Sequence, residues 1–243
     1  MKKVFRIILN KLNLNISENL IPGFGIHSKV IHRDKCSTEH EVRAHDAMQH
    51  VLSFEPESLL DVGYGEGLHS KFFNSQGIKV TAVDYGESVY VKKSKLSQED
   101  GIQFKMGDFN AMDFEEKFDV VWASHILEHQ PNAQTFISNV INCSGEDGLV
   151  CLTLPYPHRH LWGGHVTLWS PGLLCYNVVL CGLDLSDCFF VQGFKEFSIF
   201  FFNRKVTLPP LSYDNGDIDR LREFMPQEFY EGADPWRIKY KKI

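Results

Sequence analysis

Between Asp61 and Gly67 the chain reads Asp-Val-Gly-Tyr-Gly-Glu-Gly, directly after the apolar pair Leu59-Leu60 and directly before a segment of helical character. Glycines at 63, 65 and 67, with Tyr64 between them, let a backbone turn tightly and approach a ligand with no Cβ in the way. The first amides of a following helix are free to receive polar groups. The loop departs from the dinucleotide fingerprint G-x-G-x-x-G, because Leu68 stands where the last glycine belongs. Asp84, with Tyr85 beside it, comes about 20 residues on, the distance at which an acidic residue accepts hydrogen bonds from a ribose diol. Gly107-Asp108-Phe109 adds a carboxylate and a ring suited to the amino group and flat face of adenine.

A second group of reactive types lies further on. Ser124-His125-Ile126-Leu127-Glu128-His129 follows one apolar run, and Pro155-Tyr156-Pro157-His158-Arg159-His160 with Gly163-Gly164-His165 follows the next. If 125–129 is helical, its two imidazoles and one carboxylate share a face through i,i+3 and i,i+4 spacing. Two chemistries suit that set. A neutral imidazole with a pKa of about 6.5 removes a proton from a hydroxyl, with His125, His129 and His165 as the candidate bases. Alternatively, a histidine and the glutamate of this turn, with a histidine of the later loop, hold a divalent ion that acidifies the hydroxyl. A third reading makes His129 a brace for the chain after the strand. Trp162, Trp169 and Tyr156 add aromatic faces that suit flat rings and the apolar faces of sugars, while Trp169 with Leu168 equally suits plain packing.

These residues need elements that bring them together. Short apolar runs at 59–63, 79–84, 102–106, 118–123 and 148–154 read as strands, each followed by glycine, a carboxylate or helical periodicity. Thr38 and Glu41 form a capping box for a helix over 38–53, a further helix runs from Gly67 to Gly77, and Ser170-Pro171 opens another after the loop 155–169. Two β-rich stretches, 184–192 and 196–205, suggest a hairpin-like ending. Strands alternating with helices predict a parallel sheet covered on both faces, with ligands at the carboxyl ends of the strands. The chain divides into a helical cap segment at 1–57, a ligand-binding domain at 58–206 and an appended tail at 207–243.

Lys and Arg number 25 against 31 Asp and Glu, a formal charge of −6. That balance lacks the basic footprint of a protein held by nucleic-acid phosphates, so DNA is not an expected partner and RNA an improbable one. No apolar run approaches the roughly 20 residues that cross a bilayer. Six cysteines without a CxxC pair point to reduced thiols and a cytoplasmic setting. The segment Met1–Leu9 is basic and amphipathic, which fits packing on the domain and also docking at the inner face of a membrane. Oligomeric state stays open.

Taken in order, Asp61–Gly67, Asp84, Gly107-Asp108 and Phe118–His129 resemble the motifs of the class I S-adenosylmethionine-dependent methyltransferases over about 59–205. The resemblance implies an α/β, Rossmann-like, doubly wound fold with a mostly parallel seven-stranded sheet and an antiparallel C-terminal strand. It implies S-adenosylmethionine as cofactor, held by Asp61, Gly63, Tyr64, Gly65, Gly67, Asp84, Tyr85, Gly107, Asp108, Phe109 and Ser124. Glu128-His129 with a distant His is similar to the metal motif of small-RNA 3′-terminal 2′-O-methyltransferases and of ubiquinone-pathway O-methyltransferases, although His125 stands where a first Glu is expected. That likeness implies Glu128, His129 and His165 as the metal ligands. Leu154-Pro155 followed by Gly164–Pro171 resembles bacterial small-molecule methyltransferases, some tied to cell-surface polysaccharide. The expected reaction is therefore O-methylation of a sugar hydroxyl or other small molecule. Its rivals are an RNA 3′ end, a quinone-like phenol, a catalytically silent cofactor-binding protein and, last, a dehydrogenase.

Overall fold

In the computed structural model, residues 43–226 are described, apart from 95, 98, 99, 159, 161 and 194. The apolar runs form β1 (Ser58–Val62), β2 (Lys79–Asp84), β3 (Gln103–Met106), β4 (Phe118–Ser124), β5 (Ser144–Pro155), β6 (Phe189–Gln192) and β7 (Glu196–Phe202). They make one seven-stranded sheet in the order β3-β2-β1-β4-β5-β7-β6. β1 to β5 are mutually parallel, and β7 is antiparallel to β5. β6 in turn is antiparallel to β7, so β7 alone runs against the sheet. This is the doubly wound architecture expected from the sequence. Strand order reverses between β1 and β4, and in such sheets the crevice at that switch point takes the ligand.

Successive residues of a strand face opposite sides, so neighbours in the sequence divide between two cores. Leu60, Val62, Val121 and Leu152 pack under α3 (Ala133–Cys143) and α4 (Pro171–Leu180). Leu59, Val80, Trp122 and Phe200 pack under α1 (His45–Leu52) and α2 (Leu68–Ser75). Being covered on both faces, β1 and β4 are nearly continuous apolar runs rather than alternating ones. The helix starts follow capping rules. Asn132 accepts a hydrogen bond from the Thr135 amide at 3.3 Å, and Ser170 one from Leu173 at 3.2 Å with Pro171 in the first turn.

Three sequence boundaries shift. Residues 184–188 form no strand; a single bridge pairs Leu183, just before them, with Lys205. Residues 207–226 are part of the main core, not an appendage, because Leu221 and Met225 are buried with α4 and the short α5 (Asp217–Arg220) anchors the return. Asp217 does the anchoring by accepting the Ser212 and Tyr213 amides. The prolines and acidic turn suggested a tail, but the i,i+4 apolar pair Leu221/Met225 decides the packing. Likewise the described part of the cap segment buries Ala47, Met48 and Val51 of α1 against the sheet. Met1–Leu9, Cys36 and the Thr38/Glu41 box lie outside the described residues. Cys143, Cys151 and Cys175 are buried free thiols. Among the described residues no helix is long and apolar enough to cross a membrane.

Candidate active site

The first half of the crevice is made at the ends of β1, β2 and β3. Gly63, Gly65 and Gly67 all have positive φ, 77°, 52° and 81°, which L side chains rarely adopt. A Cβ on Gly63 would also lie 2.0 Å from Cδ1 of Ile126, so this turn needs glycine twice over. Asp84, at the end of β2, accepts hydrogen bonds from the Gly65 and Gly86 amides, each at 3.0 Å. Those amides hold the carboxylate against the glycine loop with acceptor capacity remaining on each oxygen. Asp108 caps the turn after β3 by accepting the Asn110 amide at 2.9 Å and stays exposed, and Tyr85 is exposed on the rim. Ser124 presents a buried hydroxyl with no protein partner at the end of β4. Positive-φ glycines, a pinned strand-end carboxylate, an exposed second carboxylate and an orphaned hydroxyl form a cradle that suits a nucleoside bearing an amino-acid tail.

Three expected contacts on this side are corrected. Asp61 is fully buried and accepts from Ser70 Oγ at 2.5 Å, so it ties the loop to α2 and touches no ligand space. Burial pushes its pKa up to about 7, against the hydrogen bond from Ser70. Phe109 belongs to the core, with Phe114 and Phe136 rings at 6.1 and 5.5 Å. Tyr64 is buried with its hydroxyl on Met106 Sδ at 3.2 Å. Asp61 stands two residues, and Tyr64 one, from a turn glycine, and sequence spacing does not distinguish which way a side chain faces.

The second half is made at the ends of β4, β5 and β7. After β4 the chain enters a 3-10 turn, Leu127–His129, in place of the helix the spacing predicts, and His125 takes a left-handed φ of 59° before it. That conformation turns the His125 ring between two carboxylates: Nδ1 is 3.2 Å from Glu128 Oε1 and Nε2 is 2.7 Å from Glu196 Oε2. Burial favours the neutral imidazole, but the hydrogen bonds and charges of Glu128 and Glu196 outweigh it and hold the His125 pKa above its ordinary value. For Glu196 burial works upward and the His125 contact wins downward, so the contact favours the charged form of each partner. With both ring nitrogens engaged by carboxylates, His125 is placed as a strut between Glu128 and Glu196 and has no nitrogen turned free to act as a base. Glu196 also accepts the Ala44 amide, which ties the start of α1 to the crevice.

Glu128, His129 and His165 converge as the spacing led us to expect, each offering a ligand atom within 4.8 Å of the others. His129 Nδ1 donates to the Gly164 carbonyl at 2.7 Å, which fixes the tautomer and leaves Nε2 as an acceptor. The amides of Val166 and Thr167 donate to the Glu128 carbonyl at 2.8 and 3.2 Å, clamping the 162–168 loop onto the turn. Glu128 Oε2 and His165 Nδ1 are buried without protein partners. Burial and the neighbouring imidazoles hold the His165 pKa below its ordinary value, with Glu128 opposing, so that ring is neutral. One buried carboxylate and two imidazoles are a donor set that fits a divalent ion. Glu196 escaped the sequence reading, although an acid leading the apolar run Phe197–Phe202 was a signal that it faces something polar. Trp162, Val166, Leu168 and Leu173 are exposed along the rim, whereas Trp169 is buried as packing.

Residues 60–152 match the family described as a methyltransferase domain, and the fold, glycine loop and strand-end carboxylates are those that a resemblance to the class I S-adenosylmethionine-dependent methyltransferases leads one to expect. The chain is similar to the ubiquinone biosynthesis O-methyltransferase of Rickettsia conorii, 29% identical over 97 residues that make up 39% of this chain and 34% of that protein. To the protein of the same name from Rickettsia typhi it is 30% identical over 110 residues, 43% of each. The matched stretch is thus under half the length of these curated relatives. In fold it is similar to 1,6-didemethyltoxoflavin-N1-methyltransferase of Burkholderia thailandensis, solved with 1,6-didemethyltoxoflavin and S-adenosylhomocysteine. The TM-score is 0.56 at 20% identity, covering 68% of this chain and 78% of that one.

Proposed function

We propose that this methyltransferase transfers the methyl group of S-adenosylmethionine to a hydroxyl on a quinone-like aromatic ring, with a divalent ion held by Glu128, His129 and His165. The convergence of those three side chains beside the glycine loop is the observation that carries this reading. Two supports accompany it. The rim residues Trp162, Val166, Leu168 and Leu173 offer an apolar surface suited to a flat ring, and the curated relatives are named for ubiquinone biosynthesis. A sugar or surface-glycan hydroxyl, the first expectation from the sequence, finds no counterpart in either. When bound, S-adenosylmethionine supplies an electrophilic methyl on a sulfonium, and a divalent ion supplies Lewis acidity that lowers the pKa of a hydroxyl. The chain's own part is alignment. The glycine loop and Asp84 fix the nucleoside end, Asp108 meets the adenine edge, and the 162–168 loop positions the ring. His125 orients Glu128 so that Oε2 faces the site.

The test is methyl transfer from S-adenosylmethionine to a catechol probe, read by mass spectrometry, with and without EDTA and with an oligosaccharide and an RNA oligonucleotide as competing acceptors. A catechol methyl ether, lost with EDTA and restored by Mn²⁺, is the expected result. Methylated oligosaccharide or RNA with untouched catechol would overturn the acceptor. Undiminished transfer in EDTA would overturn the metal.

A further inference from the structure

His158, in the loop after β5, has no place in the arrangement described so far, yet it is held in an unusual state. Both of its ring nitrogens are buried and neither has a protein partner. A neutral imidazole carries one donor and one acceptor, and buried groups of this kind rarely go unanswered in both directions. His160, two residues on, is exposed, so burial is specific to this histidine and not a property of the whole loop. The ring of His158 lies on Trp162 with centroids 3.7 Å apart and a tilt of 31°, which gives it a fixed platform.

Its other neighbour is His165, at 5.8 Å between ring centres, and His165 in turn is 4.9 Å from His129. Two imidazoles bound to one ion at nitrogen-to-metal distances of about 2.1 Å have ring centres no more than about 6.4 Å apart. Both separations fall inside that limit. The nitrogens of His158 are not in the close set of Glu128, His129 and His165.

We propose that His158 is a fourth protein ligand of the divalent-ion site, brought in by rotation of its side chain against Trp162. This rests on the metal reading above and goes beyond it. One carboxylate and three imidazoles then face the ion. Mg²⁺ favours oxygen ligands and retained waters, whereas imidazole-rich sites favour first-row transition ions, so the site selects Mn²⁺, Fe²⁺, Co²⁺ or Zn²⁺ over Mg²⁺. His125 cannot supply the fourth contact, because both of its nitrogens are committed to Glu128 and Glu196.

The experiment is a titration of EDTA-treated, desalted protein with Co²⁺ and with Mg²⁺, followed by calorimetry and by the visible absorption of bound Co²⁺. Wild type, His158→Ala and His160→Ala are compared, and S-adenosylhomocysteine affinity reports on the integrity of the fold. Wild type is expected to bind Co²⁺ at least about 100-fold more tightly than Mg²⁺. His158→Ala should weaken Co²⁺ by about 10–100-fold and change its spectrum, with S-adenosylhomocysteine affinity and the His160→Ala titration as in wild type. If His158→Ala binds Co²⁺ as wild type does, with the same spectrum, the fourth ligand is refuted and the three-residue site stands. If wild type binds neither ion, this inference and the metal reading fall together. A wild-type preference for Mg²⁺ refutes the selectivity.

Discussion

At the ends of β1 and β2 the crevice is lined by backbone, three positive-φ glycines and the amides that grip Asp84, while at the ends of β4, β5 and β7 it is lined by ionisable side chains from three separate loops. The first half is local: strand, turn and helix lie within 20 or so residues, and the same backbone solution serves any acceptor chemistry. The second half is assembled by tertiary packing and, on the function proposed above, carries the choice of acceptor. Specificity therefore resides where sequence distance is greatest.

That division can be broken by substitutions that should affect one half and spare the other. The largest effect is expected from Glu128→Ala, which should lower methyl transfer to the catechol probe by about 10²–10³-fold and remove divalent-ion binding, with S-adenosylhomocysteine affinity within about twofold of wild type. An equal loss of S-adenosylhomocysteine binding in calorimetry would show that the halves are not separate. Asp84→Ala is the mirror experiment. It should weaken S-adenosylhomocysteine by about 100-fold, close to 3 kcal/mol, and leave Co²⁺ binding intact.

Gly63→Ala tests the seam between the halves. A left-handed alanine costs about 1–2 kcal/mol, and its Cβ would collide with Ile126 of the acceptor side, so S-adenosylhomocysteine affinity should fall by about 10-fold or more. Adding Ile126→Ala removes the collision but not the strain. Partial recovery in this double-mutant cycle is the expected outcome, and additive losses would count against the contact.

The smallest effect on chemistry should come from His50→Leu, on the helix side of the sheet. His50 is boxed by Phe54, Phe189 and Phe200, and burial pushes its pKa down to about 4. A group whose folded pKa lies below its unfolded value near 6.5 leaves the native state without a proton that the unfolded chain takes up. Stability is then intact above pH 6.5 and lost as pH falls toward 4, at up to roughly 1.4 kcal/mol per pH unit. Thermal melts from pH 7 to 4.5 should show a flatter acid limb in His50→Leu than in wild type, with turnover at pH 7 nearly unchanged.

The same contrast explains what the sequence displayed. The parallel strands, the glycine turn and Asp84 were readable because each depends on neighbours within one βαβ unit. The meeting of Glu128, His129 and His165 was readable because spacing put two on one turn and topology sent both loops to the same edge. Glu196 was not, since a single acid 71 residues from His125 leaves no periodic trace. Phe109 and Asp61 were misassigned for a different reason: residue type and strand-end position were right, but burial decides whether a side chain meets ligand or core. The 3-10 turn after β4 also mattered. A regular helix would have pointed His125 along the Glu128–His129 face, and the left-handed bend hands it to Glu196 instead.

The hydrogen bond from the Ala44 amide to Glu196 spans 152 residues of sequence. During synthesis at roughly 5–20 residues per second, α1 leaves the ribosome some 8–30 s before its partner carboxylate exists. The start of α1 therefore makes this contact only after Glu196 has been synthesised. In the finished molecule the exchange of that single amide proton reports how often the two ends of the chain let go of each other.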